Sequence, residues 1–383
     1  MTTYNLVDYG EMLRNDERIT AYHDAIRAAI KPGAVVLEIG AGTGFMALLA
    51  CKFGARRVYT LEPADAIIVA RQAAKDNGYA DRIVFHRERS TELTLPERCD
   101  VLISDLRGAN AFYGTHLTDL IDARERLLTP DATWICQTDT LFAAVVEAPG
   151  GRSEIDAQWD GARWGLDLGS ALRYAVHSPS RQRFKAEQLL TPSVSWGRID
   201  FPRLVSPHLR GEAALTVERA GPAQGLALWF EVRLHGGFGF SNSPGKAASV
   251  YGSHFLPWPK TVPLLAGDRV ELRIEVILSG QSYEWHWATT IRRNDQAEPV
   301  AAFKQSTFQG HLLDADGLRR GTAHYRPTVT AAAEEERFLL ERIDGQRAQG
   351  ELAAALRARF PERFADDAAA LARVLRTVRA VGA

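Results

Sequence analysis

Apolar and polar positions change their rhythm twice along the chain. Over about the first 145 residues, short apolar runs alternate with stretches of helical spacing, the pattern of βαβ units that build a parallel sheet. Residues 35–39 predict a buried strand, a Gly-rich turn follows, and 45–51 continue as a helix. The next strand is expected at 57–61 and the next helix at 64–77, with further strands at 83–85, 101–103 and 133–136. From about Arg183 the helical spacing vanishes. Short β-rich runs such as 227–232 and 270–276 stand between Gly, Pro and Ser turns, which predicts an all-β barrel or sandwich. A Trp- and Gly-rich stretch at 147–182 joins the two textures. Near the end the spacing is helical again, in three segments at 334–343, 349–360 and 365–381. The expected architecture is a Rossmann-like α/β domain at 1–145, an all-β barrel domain at 146–330 and a small C-terminal helical module at 331–383.

Composition narrows the function classes. The 383 residues carry 46 Lys+Arg against 47 Asp+Glu, a net charge of −1, so there is no overall basic field to hold a nucleic acid by counterion release. No apolar run approaches the length of a membrane-spanning helix, and Met1–Asn5 lacks the basic and apolar regions of a secretory signal. Cys51, Cys99 and Cys136 are scattered and form no disulfide framework, CxxC pair or Cys/His cluster, so no metal is expected. A cytoplasmic protein, with no nucleic-acid or membrane partner, is the expectation.

The chemistry is concentrated after the first strand, in Glu38-Ile39-Gly40-Ala41-Gly42-Thr43-Gly44. Alternate glycines let the backbone turn tightly and approach a ligand with no Cβ in the way. A dinucleotide site needs GxGxxG, but Phe45 stands at the sixth position and an acidic residue precedes the first glycine. The pattern instead fits S-adenosylmethionine (SAM), whose amino acid part carries a cationic amine. Glu62, at the end of the next strand, is placed to accept both ribose hydroxyls.

These motifs, with others in both halves, resemble the protein arginine methyltransferases, class I SAM-dependent enzymes with a β-barrel after the cofactor domain. Glu11-Met12-Leu13 and Arg18 resemble the family's N-terminal helix; the resemblance implies that Met12 lies against the adenosyl group and that Arg18 binds the SAM carboxylate. Ser90-Thr91 stands where the family contacts adenine with Val-Glu. Trp164-Gly165-Leu166-Asp167 resembles the dimerisation arm, and Gly239-Phe240-Ser241-Asn242-Ser243-Pro244 a barrel block. The resemblance implies Gly40, Ala41, Gly42, Gly44, Glu38 and Glu62 as further cofactor contacts, S-adenosylhomocysteine (SAH) as product, and a homodimer.

The departures lie on the acceptor side. The family loop Ser-Glu-Trp-Met-Gly-Tyr is Ser104-Asp105-Leu106-Arg107-Gly108-Ala109 here, its second carboxylate is replaced by Gly114, and its Thr-His-Trp segment falls on Ser249-Val250-Tyr251. One shortened carboxylate cannot grip a planar five-donor cation from both sides. Arg107 would repel a cationic acceptor and attract a carboxylate. The first expectation is therefore a remodelled pocket that methylates a peptide or small molecule at or beside a carboxylate, with Asp105 and Arg107 orienting it and Tyr113, Tyr251 and His254 lining the site. His116 and His254 are candidate bases. The plainer alternatives remain: Asp105 capping a turn, Arg107 solvated, the tyrosines as packing and the histidines as surface residues. Arginine N-methylation and a SAM-binding pseudoenzyme are the competing functions. Finally, 339–347 with Gly350-Glu351-Leu352-Ala353 resembles the helical half of PqqD-like domains, which implies a leader-bearing precursor peptide of natural-product biosynthesis as a partner; a plain helical extension is the alternative.

Overall fold

The computed structural model describes residues 4–246, 250–294, 296–312 and 314–381. Helices α1 (Leu6–Leu13) and α2 (Asp16–Ala29) come first, and the side chains of Asn5 and Asn15 accept backbone N–H groups at their open N-termini. Five strands then form a parallel sheet: β1 (Val35–Ile39), β2 (Arg57–Leu61), β3 (Ile83–His86), β4 (Cys99–Ser104) and β5 (Leu128–Trp134). Helices α3 (Phe45–Lys52), α4 (Ala66–Asp76) and α5 (His116–Arg126) lie between consecutive strands of this sheet. β1 is buried at every position, so it reads as an apolar run rather than an alternation. The strand order is β3-β2-β1-β4-β5. It reverses between β1 and β4, and the crevice beyond the carboxyl ends of those strands is where open α/β sheets bind ligands.

The antiparallel layer begins with β6 (Cys136–Val146). After α6 (Pro149–Gln158) and α7 (Leu172–Ala175) come β7 (Ser180–Gln182), β8 (Val194–Asp200), β9 (Leu209–Thr216), β10 (Gly221–Leu234), β11 (Gly239–Ser241), β12 (Ser253–Leu264), β13 (Arg269–Ser279), β14 (Ser282–Arg292) and β15 (Ala301–Ser306). One sheet runs β7-β12-β10-β6-β8, with β11 on β10, and the other β15-β14-β13-β9. β8 meets β9 and β12 meets β15, which joins the two sheets into the expected all-β layer.

Three boundaries differ from expectation: the strand at 133–136, the division at 145/146, and the start of the last unit, which lies at 312/313 rather than 330/331. The segment expected as one strand at 133–136 is a junction: β5 ends at Trp134, Ile135 donates to Leu102 O at 2.9 Å, and β6 starts at Cys136. The expected division at 145/146 therefore falls inside β6, because the apolar run Trp134-Ile135-Cys136 spans the point where parallel pairing changes to antiparallel. A continuous core including Leu37, Ile103, Phe230, Trp258 and Ile274 then binds both layers into one unit ending at Leu312. The second unit holds α8 (Ala315–Arg320), which the sequence pattern did not signal, and α9 (Ala331–Leu340), α10 (Gln349–Arg359) and α11 (Asp367–Val381). Leu339, Leu352, Leu356 and Val374 form its core, beside a buried Glu335 paired with Arg363 and Arg373. Among the described residues, no helix is long and apolar enough to cross a membrane.

Candidate functional site

The glycine turn sits at the carboxyl end of β1, on one side of the crevice. Gly40, Gly42 and Gly44 have φ of 87°, 53° and 87°, in the left-handed region that side chains disfavour. Space is equally restrictive. A Cβ at Gly40 would come within 2.5 Å of Leu106, one at Gly42 within 2.8 Å of Tyr9, and one at Gly44 within 2.9 Å of Ala70. The N–H groups of Gly40 and Ala41 both donate to Leu61 O, tying the turn to β2.

Glu62, at the end of β2, accepts the Gly42 N–H at 2.7 Å on one carboxylate oxygen and the Ala64 N–H at 2.9 Å on the other. Each oxygen keeps a lone pair, which suits a vicinal diol. Glu38 is buried in β1, where it accepts from the Thr60 hydroxyl and the Ala47 N–H. Burial pushes its carboxyl up to about 7, against those two donors and with help from nearby Glu62.

Across the crevice, Asp105 follows β4 with only 4% of its side chain exposed. Arg18 of α2 donates through Nε to Asp105 Oδ2 at 2.6 Å and to the Tyr251 hydroxyl at 3.0 Å, and through Nη1 to Met12 O at 3.1 Å. Its Nη2 meets the same Asp105 oxygen. One N–H on each terminal nitrogen is left without a partner among the described residues, a fork suited to a carboxylate. The Tyr251 hydroxyl lies 3.2 and 3.1 Å from the two Asp105 oxygens, and its ring stacks on Phe240. Burial alone would raise the Asp105 carboxyl; Arg18 and Arg107 outweigh it and hold the group well below the usual carboxylate range.

Arg107 overturns the expectation placed on it. Its side chain is 1% exposed and all five N–H donors are spent. Nε and Nη2 hold Asp139 of β6 bidentately at 2.8 and 2.9 Å, Nη1 meets Asp105 Oδ1 at 2.6 Å and the Tyr22 hydroxyl at 2.9 Å, and Nη2 meets Cys136 Sγ at 3.1 Å. An arginine this buried is affordable only when fully paired, so it offers no charge to an acceptor's carboxylate.

The remaining expected residues divide. Met12 is half-buried and contributes its carbonyl to Arg18. Ser90 is buried, and its hydroxyl has no partner among the described residues, so it can serve an adenine nitrogen; Thr91 is exposed. Tyr113 bonds Tyr4 of the N-terminal segment. Ser249 lies outside the described residues. Gly114 has φ 50° and brings no carboxylate. His254 is stacked on Trp285, with ring centroids 4.9 Å apart. The Asn110 carbonyl oxygen accepts the Phe112 N–H, so the Asn110 amide must donate to His254 Nδ1, at 2.8 Å. That spends the lone pair a base would need, and burial lowers the imidazole to about 4. His116 is buried against Phe201 and, by burial first and Arg107 second, lowered to about 3. Burial thus makes both histidines weak proton acceptors. The sequence reading missed Asp139, Tyr22, Cys136 and Tyr9; the one acidic residue of β6 was the available signal for the first.

Similar proteins fit this geometry. The family model described as ribosomal protein L11 methyltransferase (PrmA) matches residues 22–136, the parallel-sheet layer. A probable protein arginine N-methyltransferase 6 of Arabidopsis thaliana is 28% identical over 62% of this chain, which spans 56% of that relative's length. An arginine N(omega)-methyltransferase of Streptomyces achromogenes subsp. streptozoticus is 29% identical over 69% of this chain and 74% of its own. The Trypanosoma brucei PRMT1 enzyme-prozyme heterotetrameric complex with AdoHcy superposes with a TM-score of 0.72, covering 78% of this chain and 97% of that one at 22% identity. Arabidopsis thaliana protein arginine methyltransferase 10 gives 0.69 at 19% identity, over 79% and 97%. In sequence and fold, the chain resembles the protein arginine methyltransferases, with a parallel-sheet layer similar to that of class I SAM-dependent methyltransferases.

Proposed function

We propose that the protein transfers the SAM methyl group to a nitrogen of a guanidino or closely related acceptor, carried by a peptide or a small molecule. The observation that carries this reading is Asp105: an ionised carboxylate at the end of β4, across the crevice from the glycine turn, where Arg107 is fully paired and the open donors of Arg18 are assigned to the cofactor's carboxylate. The acceptor carboxylate favoured by the sequence lost its residue when Arg107 proved spent. Relatives whose names specify arginine point the same way.

Glu62 would hold the ribose, Arg18 the cofactor's carboxylate and Glu38 the neighbourhood of its cationic amine. SAM supplies an activated methyl on a sulfonium: the S–CH3 bond breaks as an N–CH3 bond forms, SAH leaves, and the acceptor nitrogen loses a proton to solvent. Asp105, held ionised far below neutrality, is a weak base and acts by orientation. Tyr251 is its uncharged side-chain partner among the described residues, so an incoming acceptor N–H would exchange with that hydroxyl.

A second reading, a SAM-binding scaffold without turnover, draws on Asp105 being fully occupied. The exposed Trp164 and Leu166 of the 147–182 stretch would join two copies of the chain, and the second unit would hold the leader of a peptide acceptor. The test of function is label transfer from methyl-labelled SAM to free arginine and arginine peptides. Base-stable label recovered as methylarginine supports the proposal, base-labile label returns the carboxylate acceptor, and cofactor binding without transfer supports the scaffold.

A further inference from the structure

Where the family that this chain resembles has methionine in the loop after β4, Arg107 introduces a buried cation. Its partner Asp139 comes from the first strand of the antiparallel layer. Four buried charges therefore alternate in a line from the crevice into the β layer: Arg18, Asp105, Arg107, Asp139. We infer that Arg107 and Asp139 are positioning residues that set how tightly Arg18 can take the cofactor's carboxylate, by neutralising the Asp105 that competes for it. The inference rests on Arg18 being the carboxylate ligand.

Arg18 faces two anions. Asp105 takes its Nε and one Nη2 donor, and the arriving carboxylate would take the remaining donors on Nη1 and Nη2. How strongly Asp105 competes depends on its own compensation. Oδ1 is committed to Arg107 at 2.6 Å, so the carboxylate's charge is divided between two guanidiniums. Arg107 cannot drift away, because Asp139, the Tyr22 hydroxyl and Cys136 Sγ fix its other donors. Without that cation, Asp105 would rely on Arg18 alone for compensation, drawing Arg18 toward itself and leaving more negative charge beside the site of the cofactor carboxylate. In a site this dry both effects are strong. Asp139 completes the brace by balancing Arg107, so that the line is neutral overall.

The experiment is calorimetric titration with two probes, SAH and 5′-methylthioadenosine, which lacks the amino acid part and its carboxylate. Arg107→Met with Asp139→Asn removes the brace as a neutral pair. It should weaken SAH about tenfold, the order of one charge-assisted hydrogen bond, and leave methylthioadenosine unchanged. Adding Asp105→Asn should bring SAH affinity back toward wild type by releasing Arg18, a recovery that mere structural damage would not give. Arg107→Lys, which keeps the cation, should stay near wild type, whereas Arg107→Gln should weaken SAH selectively; these two carry the test if the double variant fails to fold. Unchanged SAH affinity, equal loss for both probes, or no recovery with Asp105→Asn would overturn the inference. Arg18→Ala separates the premises. If it leaves SAH affinity intact, the cofactor reading is wrong; if it weakens SAH while the brace variants do not, only the brace is wrong.

Discussion

Replacing Glu38 with Gln removes a titration that the fold holds near neutrality. Burial raises this carboxyl from 4.5 to about 7, with Thr60 and Ala47 opposing and Glu62 adding to the rise. Between those values the folded protein keeps the proton and the unfolded chain has lost it, so the native state binds more protons and stability falls as pH rises. The contribution is fully present below the unfolded value and lost once pH passes about 7, a total of about 3 kcal/mol at 1.36 kcal/mol per unit. Gln has no proton to lose. The stability of wild type relative to Glu38→Gln should therefore drop by about 3 kcal/mol between about pH 4 and pH 8. Urea unfolding followed by tryptophan fluorescence suits the measurement, because all eight tryptophans lie before residue 313 and report the first unit alone. The same group predicts a binding signature. A cationic amine near Glu38 favours its ionised form, so SAM binding near pH 6 should release a proton, visible as a dependence of the heat on buffer. Parallel stability profiles for the two proteins, with heats independent of buffer, would refute the reasoning.

Other consequences can be checked separately. Glu62→Gln should weaken SAH and methylthioadenosine alike, by about tenfold or more, because both carry the ribose diol; a loss confined to SAH would move Glu62 off the ribose. Gly42→Ala forces a side chain into φ 53° and within 2.8 Å of Tyr9, so it should cost about 1 kcal/mol or more in urea unfolding and weaken SAH; unchanged values would refute the close approach. Glu335→Gln leaves Arg363 and Arg373 without their buried carboxylate, which should destabilise the second unit by about 2 kcal/mol. Hydrogen exchange should rise in 331–381 while SAH affinity stays fixed. Trp164→Arg should shift sedimentation toward the single chain if that exposed ring joins two copies.

How legible each part was follows from the range of the forces involved. β1 and β2 lie where the apolar runs placed them, and Glu38 and Glu62 lie beside the glycine turn, because a strand–turn–helix unit is specified by neighbours in sequence. The end of the parallel layer was less visible, since Trp134, Ile135 and Cys136 read as one apolar run while the chain changes sheets at Ile135. Arg107 was misread for the same reason on a longer scale. Its loop position suggested a solvated or ligand-facing charge, and only Asp139, thirty-two residues on in the next sheet, turns it into a buried brace. His254 likewise depends on Asn110, whose amide orientation is set by the Phe112 N–H. Charge and tautomer at such sites are decided by long-range partners that local pattern does not encode.

The central claim is most directly tested by measuring SAH formed from SAM by the wild-type protein with free arginine, with an arginine-containing peptide and with no acceptor, each product examined by mass spectrometry. The account predicts SAH formation that depends on the guanidino acceptor, matched by one methyl increment on that acceptor. SAH formation indifferent to the acceptor, or none despite saturating SAM, would contradict it.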